Sequence, residues 1–240
     1  MIRNKIFRSF PSEPFLHRGN ELYRVEALSD AVFAFSVSLL VASLEVPQTF
    51  EELMIIVRGA IPFFATVALL FLLWYQQYIF FRRYGINDFK TILLNLLYLA
   101  IVLFYVYPLK FLFSVLISSW TGIDLFPKAS IKGLNVLTNH DFPQLIILFS
   151  IGYFCIWFLI YLMHKHALSY SKKLSFNHYE YHFSQFEKRG AIWNAIIGLI
   201  AIIPAWAGKP WLSGIVYLLI PVILLVNKQV LHWQLNRSTP

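Results

Sequence analysis

The amino-acid sequence predicts an all-α integral membrane protein with six transmembrane helices in each subunit. Three observations predict this class. Hydrophobic residues make up 58% of the 240 residues and charged residues only 13%, whereas about 25% of the residues in a soluble domain are charged. The apolar residues are concentrated in six runs, and the basic residues cluster in the segments at one end of those runs.

The six apolar runs are read as membrane spans, because about 20 apolar residues in a helix cross the hydrocarbon core of a bilayer. They cover Leu22–Leu44, Leu53–Phe81, Ile92–Leu116, Phe142–Leu162, Ala191–Ala207 and Trp211–Val226. Gly59 and Pro62 are expected to kink the long second span. Together the spans predict one transmembrane domain at residues 22–226.

The basic residues predict the orientation of this domain in the cell membrane. Of the 20 basic residues, one side would carry only Arg58, Lys110, Lys128, Lys132 and Lys209. The side with the other 15 (20 − 5) is expected to face the cytoplasm. Both termini, residues 1–21 and 227–240, would then be cytoplasmic. Residues 117–142 would form an external loop, and residues 163–190 a cytoplasmic segment that extends the fourth span.

The net charge of +8 has the same explanation, so no nucleic-acid partner is expected. The sequence also lacks the motifs of common enzymes, including a Gly-rich phosphate loop, a Gly-x-Ser-x-Gly elbow and a His-Glu-x-x-His zinc site. Cys155 is the single cysteine, which excludes a disulfide framework. We therefore expect neither an enzyme nor a bound cofactor or metal.

Polar residues at the start of the first span are the strongest signal in the chain. Arg24 and Asp30 are six residues apart, about 240° around a helix, so they cannot pair on one face. Because charged groups near lipid are costly, each needs a partner elsewhere. We expect a structural network that includes Ser29 and, on the second span, Trp74 and Gln77. The alternative is a helix cap with a snorkelling arginine.

One face of the first span carries Phe35, Ser38 and Ala42 at helical spacing, with Leu39 beside them. These residues could form a packing face, with the serine hydroxyl bonded within its own helix. They could instead line a pore, with large apolar side chains as the constriction and hydroxyls easing ion dehydration. One helix cannot enclose a pore, so several subunits would have to contribute. Glu45 would then form a carboxylate ring that concentrates cations at the external mouth.

Arg24-x-x-x-Leu28-Ser29-Asp30 resembles the Arg-x-x-x-Phe-Ser-Asp signature of the transmembrane protein 175 family of potassium channels. Further stretches resemble prokaryotic members of that family and extend the resemblance over most of residues 24–226. They are Leu73-Trp74-Tyr75-Gln76-Gln77-Tyr78, Asn95-Leu96-Leu97-Tyr98 with Pro108, Lys188-Arg189-Gly190 and Pro210-Trp211-Leu212.

The resemblance implies a homotetramer whose first helices line a central pore for K⁺. Alignment on Asp30 places the family's apolar constriction and hydroxyl layer at four positions, which are Phe35, Ser38, Leu39 and Ala42. Three departures stand out. Gln77-Tyr78 replaces the usual His-His, Phe35 replaces a smaller aliphatic residue, and Ala42 replaces a larger one.

Two other functions are compatible with the same residues. Asp30 could be the centre of a proton-conducting or carrier-type transporter, or the polar network could belong to a membrane scaffold that transports nothing. Reconstitution into liposomes separates the three, because a channel gives unitary currents, a carrier gives slower saturable flux, and a scaffold gives neither.

Overall fold

Eight helices and no strands are found in the described part of the chain, which is residues 15–19, 21–44, 46–126, 138 and 141–236 of a computed structural model. They are α1 (Arg24–Ala42), α2 (Phe50–Arg58), α3 (Ala60–Tyr84), α4 (Phe89–Thr121), α5 (Asp141–Ser169), α6 (His178–Trp206), α7 (Pro210–Tyr217) and α8 (Leu219–Asn236).

Six helices in the described residues are long and apolar enough to cross a membrane, as predicted. Five of them are α1, α3, α4, α5 and α6, and the sixth is formed by α7 and α8 together over Pro210–Leu235. The break at Leu218 has a local cause. Pro221 lacks the N–H that would bond to the carbonyl of Tyr217, and its ring crowds that carbonyl.

The helices depart from the predicted spans at three places. The second span is two helices, the short α2 and the long α3, separated at Gly59. The segment at residues 163–190 extends both neighbouring helices, because α5 reaches Ser169 and α6 already starts at His178. The last helix continues through residues assigned to the tail, as far as Asn236.

Helices α1, α3, α4 and α5 share one core, in which the largest fully buried side chains are aromatic. Tyr84, Tyr98 and Phe81 each have at most 1% of their surface exposed. The Tyr98 hydroxyl donates to the Leu73 carbonyl at 2.8 Å, so this buried polar group is satisfied. The core thus fixes α1 to α3 and α4 along its buried side.

A short segment before α1, residues 15–19, crosses the ends of other helices; we call it the N-terminal strap. Phe15 is 3% exposed and packs edge-on against Tyr84, Phe176 and Phe183. At its other end, Gly19 donates its N–H to the carbonyl of Arg82 at 3.1 Å. The strap therefore ties the start of α1 to the end of α3 and to the turn between α5 and α6.

Glu180 holds the strap from α6. Its carboxylate accepts a bidentate pair of hydrogen bonds from the Arg18 guanidinium at 3.0 and 2.7 Å, and one from the Leu16 N–H at 2.8 Å. It also accepts from the Asn177 N–H at 3.0 Å, while the Asn177 side chain accepts from the Glu180 N–H. This reciprocal capping box starts α6. One buried carboxylate therefore both caps a helix and binds the strap.

Asp88 caps α4 and connects it to α5. Its carboxylate accepts from the Thr91 N–H at 3.2 Å and from His166 Nε2 at 2.8 Å. Partial burial alone would raise the pKa of Asp88, but the hydrogen bonds from Thr91 and His166 outweigh it and lower the pKa to about 2. The carboxylate is therefore ionised at neutral pH, and its contribution to stability is lost only as the pH falls from about 4 towards 2.

Candidate functional site on the first helix

The first helix has two faces of different character. One face is buried against α3 and α4 and includes Ser29, Phe33 and Leu40, with 0–4% of each side chain exposed. On the opposite face Phe35 remains 55% exposed, and Ala31, Ser38 and Ala42 are exposed too. Leu39 is half-buried at the edge of that face. The predicted pore lining thus lies on, or at the edge of, one surface that the rest of the chain leaves uncovered, and we call this surface the open face of α1. Its residues are Phe35, Ser38, Leu39 and Ala42.

The hydroxyl of Ser38 is fixed within its own helix. Its Oγ donates to the Ala34 carbonyl at 3.0 Å, in the i−4 pattern that serines adopt inside helices. The proton is then directed at the helix backbone, and the oxygen lone pairs are directed outward. An exposed oxygen of this kind accepts a hydrogen bond or coordinates a cation. Ser36 makes the same bond to Val32 at 2.8 Å, but it is fully buried.

Polar side chains connect the start of α1 to two other helices. Trp74 Nε1 on α3 donates to Asp30 Oδ1 at 2.7 Å. The Asn95 side chain on α4 donates to Ser29 Oγ at 2.9 Å and accepts from Gln77 Nε2 at 3.2 Å. Ser29 and Asn95 are fully buried, so the cost of burying them is offset by these bonds. The two chains of contacts fix the tilt of α1 near its N-terminal end.

Asn95 was missed as a member of this network by the sequence reasoning. The asparagine was noted only for its resemblance to a family motif, because a single amide inside an apolar span does not reveal its partner. Its helical phase would have given a signal. Asn95 and Tyr98 are three residues apart on one face of α4, and both are buried against the neighbouring helices.

Arg24 is not part of the network in the isolated chain. It is exposed, and no hydrogen bond or ion pair joins it to another residue in the described part of the chain. Arg24 and Asp30 do not meet, in accord with their angular separation on α1. A polar cavity of about 190 Å³ lies beside Asp30 and is lined also by Glu26, Gln77 and Arg82.

The C-terminal end of α1 carries a contact that the sequence did not suggest. Lys110 Nζ on α4 donates to Ser43 Oγ at 2.6 Å, directly after the last residue of the helix. The two residues are 67 positions apart, which leaves no local pattern to read. Glu45, the residue predicted for the external mouth, lies outside the described residues.

The site as a whole is an apolar surface that carries one hydroxyl group, that of Ser38. Among the residues that the structure describes, no group of three or more His, Cys, Asp or Glu side chains is arranged to hold a metal ion. A single copy of α1 presents a surface and does not enclose a channel. The open face is therefore left to contact lipid or, in an oligomer, the α1 helices of other subunits.

The fold and this open helix face define a multi-pass α-helical membrane protein. Residues 24–105 match the family described as the endosomal/lysosomal potassium channel TMEM175. Over 219 residues the chain is 35% identical to a potassium channel of Marivirga tractuosa, and the alignment covers 88% of this chain and 88% of that protein. The chain therefore belongs to the TMEM175 family, which confirms the resemblance in the sequence.

Solved structures agree with this assignment. The chain is similar to a variant of the potassium channel MtTMEM175, solved with a Nanobody-MBP fusion protein, at a TM-score of 0.80 and 33% identity. The match covers 92% of this chain and 97% of that one. The fold also matches a lysosomal potassium-selective channel TMEM175 homolog from Chamaesiphon minutus at a TM-score of 0.55 and 21% identity, over 85% and 96% of the two chains.

Proposed function

We propose that the protein is a potassium-preferring cation channel in the cell membrane, formed by four copies around a central axis. The observation that carries this proposal is the open face of α1, on which Phe35, Ser38 and Ala42 are exposed in a chain whose relatives are potassium channels. Two membrane-length helices, α3 and α4, pack against the other side of α1, so the open face is available to line a shared path.

Phe35 and Leu39 form the narrow apolar rings in this proposal, with Ser38 as the hydroxyl layer between them. An apolar ring offers nothing to replace the water that an ion loses, so it imposes a dehydration barrier. Ser38 oxygens partly compensate, and they do so more easily for K⁺, which holds its water less tightly than Na⁺. Ala42 lines a wider vestibule, because its methyl group is too short to close the pore.

The proposal includes an orientation and an external ring of charge. Both termini face the cytoplasm, following the distribution of basic residues in the sequence. A ring of Glu45 carboxylates raises the local concentration of cations at the external mouth. No cofactor is required, because the permeating K⁺ is the only ligand of the conduction path.

Bilayer recordings with the purified protein test the hydroxyl layer. Ser38→Ala is expected to shift the reversal potential under mixed K⁺ and Na⁺ towards lower K⁺ preference, while the protein still assembles. The matched control is Ser36→Ala, which removes the same i−4 hydrogen bond on the buried face. We expect Ser36→Ala to leave the reversal potential at the wild-type value.

The apolar rings are tested in the same recordings. Phe35→Ala and Leu39→Ala should widen or wet the constriction and raise the unitary conductance. If Ser38→Ala leaves the reversal potential unmoved and neither truncation changes the current, α1 does not line the pore and the proposal is wrong.

A further inference from the structure

Lys110 is a charged side chain at an unusual position in the longest apolar helix of the described residues. It lies 20 residues after Lys90 (110 − 90) on α4, about 30 Å along the helix axis. That distance is close to the thickness of the hydrocarbon core of a bilayer. Lys110 is thus placed at the membrane surface opposite the one near Lys90, level with the C-terminal end of α1.

The ammonium group of Lys110 is held there by the end of α1. Its Nζ donates to Ser43 Oγ at 2.6 Å, and Ser43 Oγ donates in turn to the Leu40 carbonyl at 2.6 Å. The last turn of α1 contains no basic residue of its own. Because the C-terminal end of a helix carries partial negative charge, a cation beside it is favoured. A residue of α4 supplies that cation.

The charge lies next to the end of the open face. Ser43 is exposed and Lys110 is half-buried at this contact, and among the described residues no carboxylate forms an ion pair with Lys110. Ser43 follows Ala42, the residue of the open face nearest the end of the helix. A path that runs along the open face of α1 and past Ala42 therefore passes the helix end at which each subunit holds a positive charge.

We infer that Lys110 limits how readily cations enter and leave the conduction path at the C-terminal end of α1. Four ammonium groups at this mouth oppose the attraction of the proposed Glu45 ring, so the local concentration of cations is lower than the carboxylates alone would produce. This inference rests on the proposed channel function, and it assigns to a residue outside α1 a part in setting the rate of conduction.

The salt dependence of single-channel conductance tests this inference. Fixed charges act over about 30 Å at 0.01 M salt but only about 3 Å at 1 M. Lys110→Met should therefore raise the K⁺ conductance about two- to fivefold in dilute KCl and leave it unchanged in 1 M KCl. Lys110→Arg keeps the charge and should conduct as the wild type does at both concentrations.

Two further comparisons separate charge from structure. Ser43→Ala removes the hydrogen bond but keeps the ammonium group, so any change that it shares with Lys110→Met is structural and not electrostatic. Lowering the salt only on the side facing the C-terminal end of α1 should reproduce the difference between Lys110→Met and wild type. Lowering it only on the other side should not.

The outcomes distinguish this inference from the proposed function. If the wild-type protein carries no K⁺ current, the channel proposal itself is wrong. If the wild type conducts but Lys110→Met has the wild-type conductance in dilute KCl, or a lower one, the inference alone is overturned. An effect of equal size at both salt concentrations also overturns it, because a screened charge cannot produce that result.

Discussion

Tyr105 occupies the space that a side chain at position 152 would need. Its ring lies directly over Gly152 on α5, and its hydroxyl donates to the Leu148 carbonyl one turn earlier on the same helix. An added Cβ would overlap the ring itself and not the end of a flexible chain. The absence of a side chain at Gly152 thus permits the close approach of α4 and α5.

Gly152→Ala is accordingly expected to destabilise the protein by about 1–3 kcal/mol, the usual cost of overpacking a core. The matched control is Gly214→Ala on α7, where a Cβ meets nothing within 4 Å. That control should be neutral or stabilising by up to about 1 kcal/mol, because alanine favours helix more than glycine does. Thermal unfolding in detergent measures both variants, and equal midpoints for the two would contradict the steric argument.

Some of these residue contacts were accessible from the sequence, and others were not. The angular separation of Arg24 and Asp30 predicted that they would not pair, and the structure leaves them apart. The contact between Lys110 and Ser43 could not be predicted, because it depends on how far α4 rises beside α1. Helical periodicity gives the face on which a residue lies, but it does not give the height of one helix against another.

The N-terminal strap makes several polar contacts for a segment of five residues. Five residues contribute a buried aromatic ring, a bidentate ion pair and backbone hydrogen bonds to α3 and α6. Arg18 also donates Nε to the Leu174 carbonyl at 3.1 Å, and its guanidinium lies 5.0 Å from the Phe176 ring centre. The strap therefore fixes the segment of chain that leads into α1.

Removing one partner of the Arg18–Glu180 pair should release the strap. Arg18→Ala leaves a carboxylate that is 1% exposed without its main partner, so we expect a loss of about 2–4 kcal/mol in stability. A double-mutant cycle with Glu180→Gln should show strong coupling between the two residues. Limited proteolysis should also cut residues 15–19 faster in Arg18→Ala.

The control for the strap is Lys172→Ala, which removes an exposed positive charge in the nearby turn. It should leave both stability and proteolysis unchanged, since exposed charges contribute little. Additive effects of Arg18→Ala and Glu180→Gln would show that the pair does not act as a unit.

The ends of a helix could be predicted from the sequence where the composition changes from apolar to polar. The start of α6 was missed by 13 residues (191 − 178), because His178–Gly190 is polar and gives no span signal. A different pattern was available there. Asn177 followed by Glu180 has the spacing of a capping box, and the structure forms that box. The division of the second span at Gly59 was foreseen as a kink, but the separate helix α2 was not.

In the whole molecule, the open face of α1 is left uncovered. The polar residues Arg24, Ser29 and Asp30 lie at the N-terminal end of the same helix. In the proposed homotetramer this surface meets its symmetry copies, so the tilt of α1 determines whether four subunits close a ring. The tilt is held by Asp30 through Trp74 and by Ser29 through Asn95. Arg24 remains exposed at the same end.

We therefore expect Arg24→Ala and Asp30→Ala each to reduce the fraction of tetramer in detergent. Asp30→Ala removes the acceptor of the Trp74 indole and loosens α1 against α3. Arg24 has no partner in the described part of its own subunit, so we expect its partner on a neighbouring subunit, and Arg24→Ala removes that contact between subunits. Size-exclusion chromatography with light scattering gives the fraction, with the exposed Lys90→Ala as a control. Normal assembly of both variants would rule out this role.

The strap has a consequence for the order of events during synthesis. Arg18 and Glu180 are 162 residues apart in the chain. At about 5–20 residues per second, α1 therefore leaves the ribosome roughly 10–30 s before its carboxylate partner exists. Throughout that interval the helix proposed to line the pore is in or near the bilayer without the ion pair that ties the strap to α6. Its contacts with α3 and α4 can form in that time. The strap is secured only after α6 has been made, so the segment that leads into α1 is fixed later than the helix itself.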